Sequence, residues 1–492
     1  MLEKKILNNI KKVHFIGIGG SGMYPLARIL KNKEYSISGS DNYISDTLEN
    51  AIEDNLKIYV GHNKNHVKGA ELVVYSAAVK GDNPELKFAK ENNIPVLERA
   101  KLLGILMNEY KNLVAVSGTH GKTTTSSMLT HIFMKASLDP TVVIGGKLKI
   151  LNGNSRLGKT EFAVCEACEY VDTFLNLEPS LGIILNIEED HLDYFKNLEG
   201  LLNSFSKFAL KAKDAVIVNT DNENSLKVLN NLSVPVVGYG LKETEKPGKA
   251  NFSKNYLATD IVEKEGFYSF TVLKESKKIL NIDLKVPGKH NIYNALACIA
   301  AAEFYKIDLK DIKEGLESFT GVHRRFETLT KNKGITVMDD FAHHPTEIKS
   351  TLETVKKMGF KRIIAIFQPH TYSRTYTFLK EFSKVLSLAD LTIVSEILAV
   401  REKNVFNIHS RDLVNLIRNG VYIKTFEEIA DYVSNIAKEG DLILTMGGGN
   451  VYRCANAIAE KIDFLINPAD KKDTVKALIG KSQIKDNYVS SL

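Results

Sequence analysis

Short apolar runs rich in Val and Ile alternate with helix-period segments along most of this 492-residue chain. Residues 13–18, 35–38, 72–75, 113–117, 162–166 and 181–186 read as buried strands. Helices are expected over 23–32, 84–92, 101–109 and 123–135. Strands with no wet face, each followed by a helix, are the pattern of βαβ units in a mostly parallel sheet. The rhythm returns at 335–340, 345–358, 362–367, 376–386, 391–394 and 441–446. Between about 251 and 286 it breaks. Residues 267–272 and 282–286 alternate apolar and polar, as half-exposed antiparallel strands do, so a small antiparallel element is expected inside the middle of the chain. Boundaries near 108 and 322 divide it into 1–108, 109–322 and 323–465, with a polar tail over 466–492.

Composition narrows the class. At 44% apolar and 25% charged the chain is ordinary globular protein, neither fibrous nor disordered. Lys and Arg total 65 against 59 Asp and Glu, a net charge of +6. That excess is too thin for a nucleic-acid binder, although an anionic ligand needs only a few placed cations. No run approaches the roughly 20 apolar residues of a membrane span, and Met1 to Ile6 opens no leader peptide, so a cytoplasmic protein is expected. Cys165 and Cys168 form C-x-x-C without the second ligand pair a zinc site needs. Acidic neighbours also disfavour a thiolate there, which points to inert cysteines.

Two glycine-rich loops carry the chemistry. Gly17-Ile-Gly-Gly-Ser-Gly22 follows a strand and precedes a helix, with Asp41 near the end of the next strand. Glycines there let backbone N–H groups approach a diphosphate at a helix N-terminus. Ser117-Gly-Thr-His-Gly-Lys-Thr-Thr-Thr125 again joins strand to helix. Such a loop wraps phosphates, its lysine reaches the β/γ oxygens and the next hydroxyl takes Mg²⁺. Only Thr119 and His120 separate Gly118 from Gly121, so it is a shortened P-loop. A dehydrogenase leaves the second loop idle and a plain ATPase the first. An enzyme coupling ATP to a nucleotide-linked substrate uses both.

Glu166-Ala-Cys-Glu169 and Asn186-Ile-Glu-Glu-Asp-His191 lie at later strand ends, which line the ligand crevice of a doubly wound sheet. Carboxylate and hydroxyl oxygens suit Mg²⁺, favouring Glu166 with Thr123. The pattern alone leaves His191 open between a helix cap, a core histidine and a ligand.

These motifs occur in order with Gly288-Lys-His-Asn-Ile-Tyr-Asn294, Gly321-Val-His-Arg-Arg-Phe326, Asp339-Asp-Phe-Ala-His-His-Pro-Thr346 and Phe367-Gln-Pro-His-Thr-Tyr-Ser-Arg374. Together they resemble the Mur ligases of bacterial peptidoglycan synthesis, over residues 12 to 460, and within that family the alanine-adding group. The shortened P-loop is the family's own form. The resemblance implies an α/β fold of three domains: a Rossmann-like N-terminal domain, a P-loop parallel-sheet central domain with a small antiparallel element, and a Rossmann-like C-terminal domain. It implies ATP and Mg²⁺ as cofactors, and as partners UDP-N-acetylmuramate and L-alanine, in a monomer or homodimer. Gly17, Gly19, Gly20, Ser21, Gly22 and Asp41 match the positions that bind the UDP part. Gly118, Thr119, His120, Gly121, Lys122, Thr123 and Thr124 match those that hold ATP, joined by Asn291, Asn294, Arg325 and Asp340. Thr123, Glu166 and His191 match the magnesium positions. His344, His370 and Arg374 match the face where the amino acid and the reacting carboxylate meet, and either histidine is a candidate for deprotonating the amine.

Plainer roles stand beside these. Asn291 and Asn294 open an apolar helix and suit caps. Arg324 and Arg325 suit a solvated face, and a histidine before Pro345 suits a structural cap. The runner-up activity is a peptide-recycling ligase that adds a tripeptide to the same UDP-sugar. A nicotinamide-dependent dehydrogenase and a catalytically silent UDP-sugar sensor represent other classes.

Overall fold

The computed structural model describes residues 6–43, 45–241, 252–400 and 402–464. The tail expected over 466–492 lies outside them. Up to His323 the chain forms one compact unit, and from Arg324 onward a second.

The first sheet holds β1 (Lys12–Ile16), β2 (Ser36–Asp41), β3 (Lys57–Val60), β4 (Leu72–Tyr75) and β5 (Val96–Glu98), all parallel, in the order β3-β2-β1-β4-β5. Successive crossovers run one way from β1 to β3 and then reverse to β4. Such reversal opens a crevice at the carboxyl end of β1, where Gly17 to Gly22 begin.

The second sheet contains β6 (Asn112–Ser117), β7 (Thr141–Leu148), β8 (Gly153–Arg156), β9 (Phe162–Glu166), β10 (Leu181–Ile184), β11 (Ala215–Asn219), β12 (Val236–Gly240), β13 (Phe252–Lys264), β14 (Phe267–Lys274) and β15 (Lys277–Asp283). Its order is β15-β14-β13-β12-β11-β10-β6-β9-β7-β8. The P-loop strand β6 therefore lies between β9 and β10, so Glu166 and Asn186 flank the loop on either side. The antiparallel element is not a separate insertion. β13 pairs parallel with β12, and β14 and β15 continue the same sheet to its edge.

The helix Arg99–Met107 buries six of its nine residues and lacks a wet face of its own. Its Leu102, Leu103 and Leu106 share one apolar cluster with Phe174, Phe205 and Phe208 beneath the second sheet. Gly104 permits the approach, since a Cβ there would lie 2.5 Å from the Asn176 carbonyl. This continuous core makes the first two sheets one unit.

The second unit is built on β16 (Glu327–Asn332), β17 (Ile335–Asp340), β18 (Arg362–Phe367), β19 (Leu391–Val394), β20 (Gly420–Tyr422) and β21 (Asp441–Met446), in the order β16-β17-β21-β18-β19-β20. All pairs are parallel except β16 with β17. Asp340, His370 and Gly447 consequently follow or end neighbouring strands on one edge. The single helix expected over 376–386 is two, Tyr372–Thr377 and Leu379–Leu386. Phe378 leaves helical geometry at the joint, and its ring meets His344 and Phe382. No described helix is long and apolar enough to cross a membrane.

Candidate active site

The first loop is held from β2. Gly17 adopts φ +82°, and its N–H and that of Ile18 both donate to the Ser40 carbonyl, at 2.8 and 3.1 Å. Gly19 N–H donates to Asp41 Oδ2 at 2.9 Å, and Ser21 presents its carbonyl to Asn154. Asp41 thus braces the loop that was expected to meet a diphosphate, and Gly20 and Gly22 complete the turn into the helix Tyr24–Asn32.

Beneath this loop lies a cluster the sequence did not single out. Glu85 is fully buried; its carboxylate accepts from Ser40 Oγ at 2.5 Å and meets His62 Nδ1 at 3.0 Å and His66 Nδ1 at 2.8 Å. His14 Nε2 lies 3.7 Å away. Burial raises the pKa of a carboxyl, but the nearby His14 ring and hydrogen bonds from Ser40 and His66 outweigh it and hold Glu85 at about 2.

The second loop is clamped by β10's continuation. Thr119 N–H donates to the Asn186 carbonyl at 2.9 Å, His120 N–H to Asn186 Oδ1 at 2.8 Å, and Asn186 Nδ2 to the His120 carbonyl at 3.0 Å. Gly118 and Gly121 take φ +140° and +84°. A Cβ on Gly121 would lie 2.7 Å from Asn294 Oδ1, so Asn294 packs directly on the loop. Asn294 Nδ2 donates to Asn291 Oδ1, and Asn291 Nδ2 back to the Pro287 carbonyl. Both asparagines are buried within the helix His290–Phe304, whose N-cap is Lys289; Asn291 donates to a preceding carbonyl rather than accepting from a first-turn N–H, so the capping reading does not hold.

Lys122 folds onto its own loop. Nζ donates to the carbonyls of Gly118 and Thr119 and pairs with Glu169, 3.0 Å from Oε2. Burial works against the ammonium, yet Glu169, Cys168 and Glu166 outweigh it, and Lys122 lies above the ordinary lysine range. Thr123 Oγ1 donates to Glu166 Oε2 at 2.8 Å, and the same oxygen accepts from Gly145 N–H at 2.7 Å. Thr124 follows, half-buried, in the first turn of the helix. His191 sits in the left-handed region at φ +54°, with Nε2 3.9 Å from Glu169 Oε1 and its ring against Tyr170. Thr123 and Glu166 therefore come together, while the nearest carboxylates to His191 are Glu169 and Asp190. Hydroxyl and carboxylate oxygens are the donors a hard divalent cation takes. Cys165 and Cys168 are free thiols raised by burial and by the neighbouring glutamates, Cys168 to about 11.

On the second unit Arg324 is not a solvated residue. Its Nε donates to Asp339 Oδ2 at 2.9 Å and its terminal nitrogens to the Gly449 and Gly447 carbonyls at 2.6 and 2.8 Å. Arg325 lies over the Phe341 ring and is the charge opposing the shift of Asp340. Burial pushes Asp340 up to about 6; Arg325 and the Ala342 N–H resist, and Glu347 and Asp339 reinforce it. His344 caps the helix Pro345–Val355: its Nδ1 accepts from Thr346 N–H, and Glu347 accepts from the His344 N–H. His370 Nδ1 lies 3.1 Å from Arg374 Nη1. Arginine can only donate, so this imidazole keeps its proton on Nε2. The His343 ring lies 5.8 Å from that of His370, and its Nδ1 faces the Phe341 carbonyl at 3.0 Å.

The structure adds Glu169, Asn186 and His343 to the residues around these loops. The first two stand inside motifs already noted, and a strand-end position was the available signal. His343 had only its neighbour.

A glycine-rich loop at the carboxyl end of one parallel sheet and a shortened P-loop with its own carboxylates on the next, on one compact unit, are the features of an α/β enzyme of the P-loop type. Comparison with known proteins narrows that class. Residues 12–111 match the Mur ligase family catalytic domain, 116–302 the Mur ligase middle domain, and 324–449 the Mur ligase glutamate ligase domain. The UDP-N-acetylmuramate–L-alanine ligase of Acetivibrio thermocellus is 48% identical over 455 residues, covering 91% of this chain and 95% of that protein. Its namesake in Caldicellulosiruptor saccharolyticus is 46% identical over 459 residues, 92% and 99% of the two chains. The crystal structure of the UDP-N-acetylmuramate–alanine ligase of Thermotoga maritima superposes with TM-score 0.79 at 29% identity, over 92% of this chain and 99% of that one. A murein peptide ligase from Psychrobacter arcticus shares the fold, with TM-score 0.72 at 24% identity over 92% and 98%. The chain belongs to the Mur ligase family, whose members are ATP-dependent ligases of peptidoglycan precursor synthesis.

Proposed function

We propose that this chain joins L-alanine to the lactyl carboxylate of UDP-N-acetylmuramate at the expense of ATP. The observation that carries the reading is the gathering of Lys122 with Glu169 and of Thr123 with Glu166 at the mouth of a P-loop, on the unit that also bears the glycine loop. The high identity to alanine-adding relatives favours L-alanine over the tripeptide of the recycling enzymes.

A carboxylate oxygen of the sugar acid attacks the γ-phosphorus, ADP leaves, and an acyl phosphate forms. The alanine nitrogen then attacks the acyl carbon, and phosphate departs with the former carboxylate oxygen. The ammonium loses two of its three protons on the way to the amide; the departing phosphate takes up one and the other is released. Two anions meet in the first step, and positioned positive charge is what lowers its barrier. Lys122 is caged by carbonyls and Glu169, and would exchange those oxygens for the β/γ-phosphate oxygens. The amides from Gly121 to Thr124, where the P-loop opens its helix, take the remaining phosphate charge, with Asn186 holding Thr119 and His120 and with Asn294, tied to Asn291, buttressing the loop. Thr123, Glu166 and His191 would hold Mg²⁺, which when bound supplies further positive charge to the phosphates. Gly17 to Gly22 receive the diphosphate of the UDP part, with Asp41 bracing them. On the second unit, Arg325 and Asp340 offer groups for nucleotide recognition, and Arg374 offers a guanidinium for the amino acid's carboxylate. His370, with its proton on Nε2, is a hydrogen-bond donor rather than a base, and His344 is committed to its cap.

Phosphate release by the purified chain with ATP, Mg²⁺ and UDP-N-acetylmuramate tests the reading. Release should depend on L-alanine, with a product one alanyl unit heavier by mass spectrometry. Preference for the tripeptide, or release indifferent to the amino acid, would overturn it.

A further inference from the structure

Arg99 is the first residue of the helix that follows β5, two strands from β1, yet its side chain returns to the glycine loop. A Cβ on Gly22 would lie 3.1 Å from Arg99 Nη1, 3.2 Å from Cδ and 3.4 Å from Cζ. Glycine at 22 is thus what lets the guanidinium lie against the last turn of the loop. The other terminal nitrogen, Nη2, donates to Thr173 Oγ1 at 3.3 Å. Thr173 is buried in the 3-10 segment Tyr170–Asn176, immediately after Glu169, the partner of Lys122. The guanidinium therefore spans from the first anion loop to the strand end serving the second.

Its charge is not met by the fold. Arg99 is half-buried, and among the described residues no carboxylate forms an ion pair with it. A guanidinium partly withdrawn from water and answered by a hydroxyl alone still has strong donors for an anion. The anion that comes to Gly22 is, on the reading above, the diphosphate of the UDP-linked acid.

We infer that Arg99 is a binding residue for that diphosphate, holding the phosphate that bears the sugar and so aiming the lactyl carboxylate toward Lys122. The inference rests on the proposed function, and binding measurements separate the two. Calorimetric titration of the full chain with UDP, UMP and UDP-N-acetylmuramate should show Arg99→Ala weakening UDP and the UDP-sugar by about tenfold to a hundredfold, the scale of a lost charge-assisted contact. UMP affinity and the KM for ATP should stay within about twofold, and Arg99→Lys should recover part of the loss. Thr173→Val removes the tether but not the charge, and should leave UDP affinity within about threefold. If Arg99 were only a strut between the loop and the segment after Glu169, Thr173→Val would reproduce Arg99→Ala. That result, or unchanged UDP affinity in a folded Arg99→Ala chain, overturns the inference. Unaltered protein that bound no UDP would instead sink the assignment of the glycine loop, and this inference with it.

Discussion

Asp340 ends β17 as a buried carboxyl that accepts from the Ala342 N–H at 2.9 Å and from Thr351 Oγ1 at 3.1 Å. Folding carries its pKa from 3.8 to about 6, chiefly through burial. The folded chain thus binds more protons than the unfolded one across that interval, so this group's contribution to stability falls as pH rises through it. At pH 7.5 the penalty on the ionised form is about 3 kcal/mol, from roughly two pKa units at about 1.4 kcal/mol each. Asp340→Asn keeps an acceptor for Ala342 and a partner for the Thr351 hydroxyl while removing the charge. It also leaves Arg325 without its opposing carboxylate, which returns part of the gain. We expect a net stabilisation of about 1–2 kcal/mol at pH 7.5, about half of it left at pH 5 and none near pH 4. The chain contains no tryptophan and has two compact units, so a single fluorescence midpoint is a poor reporter. Hydrogen exchange of the β17 and β21 amides in the full chain reads the second unit directly. Exchange through global opening should slow by roughly 5- to 30-fold in the variant at pH 7.5. Phosphate release should fall by about tenfold or more if Asp340 contacts the nucleotide. A variant less protected at pH 7.5, or one whose advantage grows on acidification, would refute the reasoning.

Lys122→Ala should lower alanine-dependent phosphate release by about 10³-fold and, because it leaves the buried Glu169 carboxylate without its ammonium, should also destabilise the first unit by about 3–5 kcal/mol, read as reduced exchange protection of the β6 amides. Glu85→Gln should destabilise the first sheet by about 2–3 kcal/mol at neutral pH. Because the folded pKa of Glu85 is depressed to about 2, that difference is complete above pH 4.5 and fades toward pH 2, which exchange at the β1 and β2 amides will show. Iodoacetamide at pH 8 should leave Cys165 and Cys168 unmodified in the native chain and label both in urea, because burial holds both thiols protonated. Rapid native labelling would place them in an open site instead. Phe208→Ala, beneath the Phe174 ring at 4.8 Å, should cost about 3–5 kcal/mol, read as reduced protection of the Leu198–Ala209 helix.

Much of this protein follows from the order of its residues alone. A run such as Leu113 to Ser117 with no polar face must be buried on both sides, and a Gly-Lys-Thr turn after it has few uses other than phosphate. The parallel sheets, both glycine-rich turns and the family were legible for that reason, as were strands such as Leu72–Tyr75 and Arg362–Phe367, whose ends fall where the pattern stops. Local pattern could not reveal that β13 to β15 extend the central sheet, because strand pairing across a sheet edge leaves no mark on periodicity. Nor could it show that Glu169 takes Lys122, that three histidines surround Glu85, that Arg324 is tied to the Gly447 and Gly449 carbonyls, or that Arg99 reaches Gly22. Each of those is an encounter between residues far apart in the chain. Charge and burial act through distances in space, and only the packed sheets decide which side chains come within reach of one another.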